Sequence, residues 1–137
     1  MKIADIIQAV IMLTGIVTIC FTIYQFVRQL RLSLFEKYTA RYQHIMEIMP
    51  EYVLKGNPLP EENNENAICA IRLYIDLCSE EFYLYQHKYL DEAVWKEWKE
   101  GMKNMFNKSS VQSVFEDKYQ KDYKDFAAFI VKELTNK

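Results

Sequence analysis

The chain is short of residues that break helices and of residues that hold metals. Three glycines (Gly15, Gly56, Gly101) and three prolines (Pro50, Pro58, Pro60) are spread over 137 residues. So few turn formers argue for long helices and against a fold of many short strands. No apolar–polar alternation persists and no two-residue hairpin turn occurs, so no strand is predicted. Two histidines, His44 and His87, and three cysteines, Cys20, Cys69 and Cys78, make up the remaining scarce set. They form no Cys-x-x-Cys, Glu-x-x-His or His-x-x-x-His pattern, so zinc-protease and di-iron ligand sets are missing. No metal and no cofactor is expected. An odd cysteine count without a framework points to a reducing compartment. Walker-type glycine loops and Gly-x-Ser-x-Gly are absent as well. A net charge of −2 gives no basic excess for broad nucleic-acid binding.

Charge is missing altogether from one stretch. Ile6 to Val27 are 22 consecutive residues without a formal charge. As a helix they extend roughly 33 Å, enough for a bilayer core of about 30 Å. The run exceeds a signal-peptide core of roughly 7–15 residues, and no small-x-small cleavage site follows it. A buried core helix of this length would more often carry a charged face. A transmembrane helix is therefore expected within residues 1–30, with a cytoplasmic helical bundle over 31–137. Arg28, Arg31, Lys37 and Arg41 follow the run and only Lys2 precedes it. The positive-inside rule places the N-terminus outside and the C-terminal domain in the cytoplasm.

The polar residues of the run fall in line. Thr14, Thr18, Thr22, Gln25 and Gln29 recur at steps of three and four, which keeps them on one helix face, and Gly15 borders them. Such a stripe suits an interface between copies of the helix, or the wall of a pore. Threonine hydroxyls bonding back to their own helix are the plainer alternative.

With no proline before Pro50, the helix is expected to continue to about Met49. A loop is predicted at about 50–66, holding all three prolines. A second helix follows from about Ala67 to His87, with a seam of Ile68, Ile71, Ile75, Cys78, Phe82, Tyr85 and Tyr89. Ala70, Leu73, Leu77 and Leu84 give it a second apolar face, as befits a central helix. Asp91 is a suitable cap for a third helix, Glu92 to Phe106. Ser109 and Gln112 make a capping-box pattern for a fourth, about Ser110 to Tyr119. Asp122 and Asp125 mark the start of a last helix packed through Phe126, Phe129, Ile130 and Leu134. The fold class is all-α.

One strip of the second helix concentrates polar groups: Arg72, Asp76, Glu80, Tyr83 and His87. Arg72 and Asp76 are placed to pair at i,i+4, whereas Asp76 and Glu80 are like charges at that spacing. A solvated face is the plain reading, and a buried network or contact with another chain the alternative. Trp95 and Trp98 share a helix face and are candidates for contact with a cytosolic protein partner or for the core. Buried cysteines on the second helix read as small hydrophobes rather than nucleophiles.

Two stretches carry a resemblance: FEKYTARYQHIMEIMP, from Phe35, and YIDLCSEEFYLYQHKYLDEAVWKEWKEGM, from Tyr74. They resemble a group of uncharacterised bacterial membrane-anchored proteins with one N-terminal span and a small helical domain, which implies a single-pass protein of the bacterial inner membrane. The layout is also similar to the pore-forming accessory protein of RNA-targeting CRISPR systems, with its HEPN-like cytoplasmic domain. The catalytic Arg-x4–6-His pattern of HEPN nucleases is absent, because only two residues separate Arg41 from His44. No enzyme is expected. The leading expectation is an inner-membrane effector that assembles as a homo-oligomer and opens or perturbs the bilayer, as in antiphage defence. The competing one is a membrane-tethered adaptor whose helical domain binds a cytosolic protein.

Overall fold

The computed structural model describes residues 2–118 and 124–134. Every element among them is helical. They are α1 (Ile3–Ile48), α2 (Glu51–Leu54), α3 (Glu65–Gln86), α4 (Glu92–Phe106), α5 (Ser109–Lys118) and α6 (Lys124–Phe129), then a π-helical turn, Ile130–Leu134. The chain divides into two compact units, Met1–Glu36 and Lys37–Lys137.

Helix α1 has 46 residues. Gly15 is its only glycine, and it stops where Pro50, which lacks an N–H, enters. In the first unit its apolar side chains are exposed: Ile16 is 57% and Phe21 61% accessible. The helix is long and apolar enough to cross a membrane, and none of its most apolar window is buried inside the structure.

The second unit buries its apolar residues. Ile71, Ile75, Leu77 and Cys78 of α3 meet Met102 and Phe106 of α4, Val111 of α5, and Ile130 and Leu134 of the π-helical turn in the core. Tyr38 and Ile45 bring the end of α1 into it, Met49 joins them just past that helix, and Val53 does so for α2. Rings fill much of the space. Phe106 lies 6.1 Å from Tyr74, 5.5 Å from Phe115 and 6.0 Å from Phe126, centroid to centroid. Asn107 ties α4 to the π-helical turn by donating from Nδ2 to the Leu134 carbonyl at 2.9 Å.

Helices α2 and α3 end alike. After α2, the Gly56 N–H bonds the Val53 carbonyl and the Asn57 N–H the Tyr52 carbonyl, both at 2.9 Å. After α3, Lys88 N–H bonds Tyr85 O at 3.0 Å and Tyr89 N–H bonds Leu84 O at 2.9 Å. Both are Schellman closures, which put one residue in the left-handed region. That residue is Gly56 (φ 82°) in the first and Lys88 (φ 61°) in the second.

Several expectations need correction. The stretch 50–66 is not all loop: it holds α2 and the start of α3. Its connector is tied down, with Lys108 Nζ donating to the Leu54 carbonyl at 2.7 Å and Ser109 Oγ to the Gly56 carbonyl at 3.2 Å. Ser109 therefore spends its hydroxyl on the connector rather than on a capping box. Ser110 Oγ is buried without a hydrogen-bond partner among the described residues. Asp91 has the extended backbone of an N-cap (φ −72°, ψ 146°), yet its side chain makes no capping bond. Leu73, assigned to a second apolar face, is 41% exposed. Tyr119 and Asp122 lie outside the described residues.

Candidate functional site

The second unit gathers its polar groups where the last turns of α1 meet α3. Tyr38 and Arg41 are three residues apart and share a face of α1. Both reach Glu80. The Tyr38 hydroxyl donates to Glu80 Oε2 at 3.0 Å. Arg41 pairs with both carboxylate oxygens, Nη1 with Oε2 and Nη2 with Oε1, the latter at 3.1 Å. Its guanidinium also lies over the Tyr38 ring, 5.3 Å from the centroid. Two-pronged Arg–carboxylate bonds fix orientation as well as distance.

Electrostatics separates two neighbouring carboxyls. The Arg41 hydrogen bond holds Glu80 below its ordinary range. Glu80 in turn raises Arg41, again mainly through that bond. Tyr38 is pushed up to about 12, by burial first and then by the Glu80 hydrogen bond. Glu81 goes the other way. It is 6% exposed, and burial pushes its carboxyl up to about 8, with Arg41 opposing and Glu80 adding to the rise. Burial likewise raises the Tyr74 hydroxyl and the Cys78 thiol well above their ordinary values. Cys78 is therefore an inert thiol in the folded state, as its core register suggests.

Beside the clasp lies a cavity of about 710 Å³. Its walls include Tyr38, Glu80, Tyr83, Lys124, Asp125 and Phe126. The aromatic walls suit an apolar guest. Catalysis finds no matching set here among the described residues. Ser79 Oγ is engaged with the Asp76 carbonyl at 2.8 Å, and Glu80 is engaged by Tyr38 and Arg41. No group of three or more potential metal ligands occurs among the described residues.

The predicted strip on α3 divides into three parts. Glu80 joins the clasp. Tyr83 and His87 pair on the surface, with ring centroids 4.0 Å apart and His87 Nδ1 2.9 Å from the Tyr83 carbonyl. Arg72 and Asp76 are half-buried. No ion pair between Arg72 and Asp76 occurs among the described residues, and among them Arg72 Nε is buried without a hydrogen-bond partner.

The tryptophans also separate. Trp95 is 3% exposed and stacks on Tyr85, with centroids 4.4 Å apart and planes 9° apart. Phe82 and Phe129 close around it at 6.2 and 5.6 Å. It is a core residue, one of the two readings the sequence left open. Trp98 is half-buried, 5.9 Å from the Tyr38 ring.

In the first unit, the threonines bond within their own helix. Thr14, Thr18 and Thr22 donate to the carbonyls of Val10, Thr14 and Thr18, each at 2.8 Å. Gly15 has open space where a Cβ would stand. Gln25 is half-buried and Gln29 exposed.

Sequence reasoning missed Glu81 and the Tyr38–Arg41 pair. Glu81 had a readable signal: Tyr74, Cys78 and Glu81 are spaced four and three, so a carboxyl occupies a core position. Arg41, the partner of Glu80, lies 39 residues from it in sequence, and no local pattern encodes the pairing. Compared with known proteins, the chain matches no family model, no curated protein and no solved structure, so the resemblance read from Phe35 and Tyr74 onward rests on those residues alone.

Proposed function

We propose that the protein is a single-span inner-membrane effector: Ile6–Val27 crosses the bilayer, the helical domain is cytoplasmic, and copies of the span associate to open or perturb the membrane. The observation that carries this reading is the exposed apolar surface of the first unit with one polar line drawn along it. In water that surface has no favourable partner, and a bilayer supplies one. Back-bonded threonines enter lipid without an unsatisfied donor. They leave a narrow face of hydroxyls beside Gly15, along which a second helix can approach closely. The amides of Gln25 and Gln29 add hydrogen-bonding groups that favour a neighbouring helix or water over lipid.

The test is native mass spectrometry of the full chain in mild detergent, followed by ion leak from loaded vesicles. Assemblies of defined copy number, and leak abolished by Thr18→Leu or Gln25→Leu, are expected. A monomer at all concentrations sinks the reading.

One observation favours a tethered adaptor instead. The connector after α2 is held against the start of α5 by Lys108 and Ser109, which gives a partner a fixed surface. Replacing residues 6–27 with an unrelated apolar helix separates the two readings. An adaptor keeps its function after the exchange and the effector loses it.

A further inference from the structure

The cavity beside the clasp lies within the second unit, and at about 710 Å³ it has the size of a small-molecule site, roughly 300–1,000 Å³. Its apolar wall is built from rings that the core holds in place. Phe82 of α3 and Phe126 of α6 both line it, with centroids 5.7 Å apart. Behind them Phe129 lies 4.7 Å from Phe82, and Phe106 6.0 Å from Phe126. Tyr38 of α1 and Tyr83 of α3 add further rings to the lining. Such walls favour a flat aromatic guest, which gains ring contacts beyond its buried area.

The polar part of the lining says what else the guest carries. Glu80 is matched in charge by Arg41, and the lining residues Lys124 and Asp125 are opposite in sign. An ion would therefore give up its water for no unmatched counter-charge, so the guest is neutral. A carboxylate offers about four acceptor positions. Oε2 of Glu80 accepts from the Tyr38 hydroxyl and Arg41 Nη1, and Oε1 accepts from Arg41 Nη2. Among the described residues this leaves one position on Oε1 open. A hydroxyl donating there makes a charge-assisted bond, the stronger kind.

We propose that this cavity binds a small, neutral, planar aromatic molecule bearing a hydroxyl, a phenol-type ligand, with its rings against Phe82, Phe126 and Tyr83 and its hydroxyl donating to Glu80 Oε1. Tyr38 and Glu80 both line the cavity and both clasp the end of α1 to α3. The bound ligand therefore bears on that contact and ties residues 37–48 of α1 down more firmly. The site is independent of whether the spans assemble, so a monomer in detergent leaves it standing.

The experiment is isothermal titration calorimetry of the full chain in mild detergent at neutral pH, corrected with protein-free micelles. Three probes of one shape are compared: naphthalen-2-ol, 2-methoxynaphthalene and naphthalene-2-carboxylate. The naphthol is expected to saturate at one molecule per chain. The ether cannot donate and is expected to bind at least about tenfold more weakly. The carboxylate is expected not to saturate. No saturable binding of the naphthol, or an ether or carboxylate that binds as tightly, overturns the proposal. A variant places the site. Tyr83 is 55% exposed, so Tyr83→Ala removes a wall ring without emptying the core, and it is expected to weaken the naphthol severalfold. An unchanged affinity overturns the proposal. Amide hydrogen exchange of the native sequence reads the clasp. Residues 37–48 and 79–86 are expected to gain protection with the naphthol, and protection gained only elsewhere overturns the proposal as well.

Discussion

The two units treat the same residue types in opposite ways. Phe21 in the first unit is 61% exposed, and Phe106 in the second is 1% exposed. Ile11 and Ile16 stand out from α1, while Ile71 and Ile75 are fully buried on α3. Hydrophobicity alone therefore does not say what a helix packs on. The difference lies in what else the sequence places around the apolar residues. Around Ile71 and Ile75 the helix carries Arg72, Asp76 and Glu80, which leave one side to water. From Ile6 to Val27 no charge marks a water-facing side.

The comparison is most easily broken with the two phenylalanines. Phe106→Ala empties a ring-lined core site and is expected to lower the stability of the second unit by about 3–5 kcal/mol. Phe21→Ala removes a ring that touches no core and is expected to leave that stability unchanged. Thermal unfolding of the full chain in detergent, followed by circular dichroism, reads both. A matching loss from Phe21→Ala would mean that the first unit packs as core after all.

A smaller effect tests the apolar side of the comparison. Val17→Arg puts a charge at the middle of the uncharged run, a change of roughly 2.5–3.5 kcal/mol against insertion. The variant is expected to be extracted from membranes by alkaline carbonate while the native chain is retained. Retention of both would remove the bilayer from the account of why these residues are exposed.

These contrasts also show which parts of the fold were legible beforehand. The helices were, because helix existence follows from local pattern. The apolar seam around Ile71, Ile75 and Cys78 repeats at three and four, and only Gly15 interrupts α1 before its end. The bounds of α4, Glu92–Phe106, follow directly from Asp91 and the Trp95–Met102–Phe106 spacing. Tertiary partners were not legible. Nothing local to Glu80 says that Arg41 will reach it, and nothing local to Trp95 says that Phe129 will cover it. Glu81 is the instructive miss. Its register placed it inside, but a carboxyl at a core position reads as an error in the pattern until the neighbouring clasp shows what it sits beside. The threonine stripe was legible as a line that left two readings open, an interface and hydroxyls bonded back to their own helix, and in the structure Thr14, Thr18 and Thr22 each donate to their own helix.

The smallest effect belongs to a comparison within the second unit, between its two Schellman closures. Both require a left-handed residue, and only one has glycine. At Gly56 an added Cβ would stand 3.8 Å from Lys108 Cγ, an ordinary contact, so space does not forbid a side chain there. The left-handed backbone does, at roughly 1–2 kcal/mol for a residue with a Cβ. Lys88 already bears that strain, at φ 61°. Its positive charge near the C-terminus of α3 offsets part of it, by about 0.3–1 kcal/mol through the helix dipole. Replacing it with glycine relieves the strain but gives up that charge and adds freedom to the unfolded chain, by roughly 0.5–1 kcal/mol. Lys88→Gly is therefore expected to be neutral to slightly stabilising, within about 0.5 kcal/mol, whereas Gly56→Ala is expected to destabilise by about 1 kcal/mol. Equilibrium unfolding of the two variants gives the sign of each. If Lys88→Gly proved as costly as Gly56→Ala, the lysine would be held by something more than its backbone angle, and the dipole term would be the first to revise.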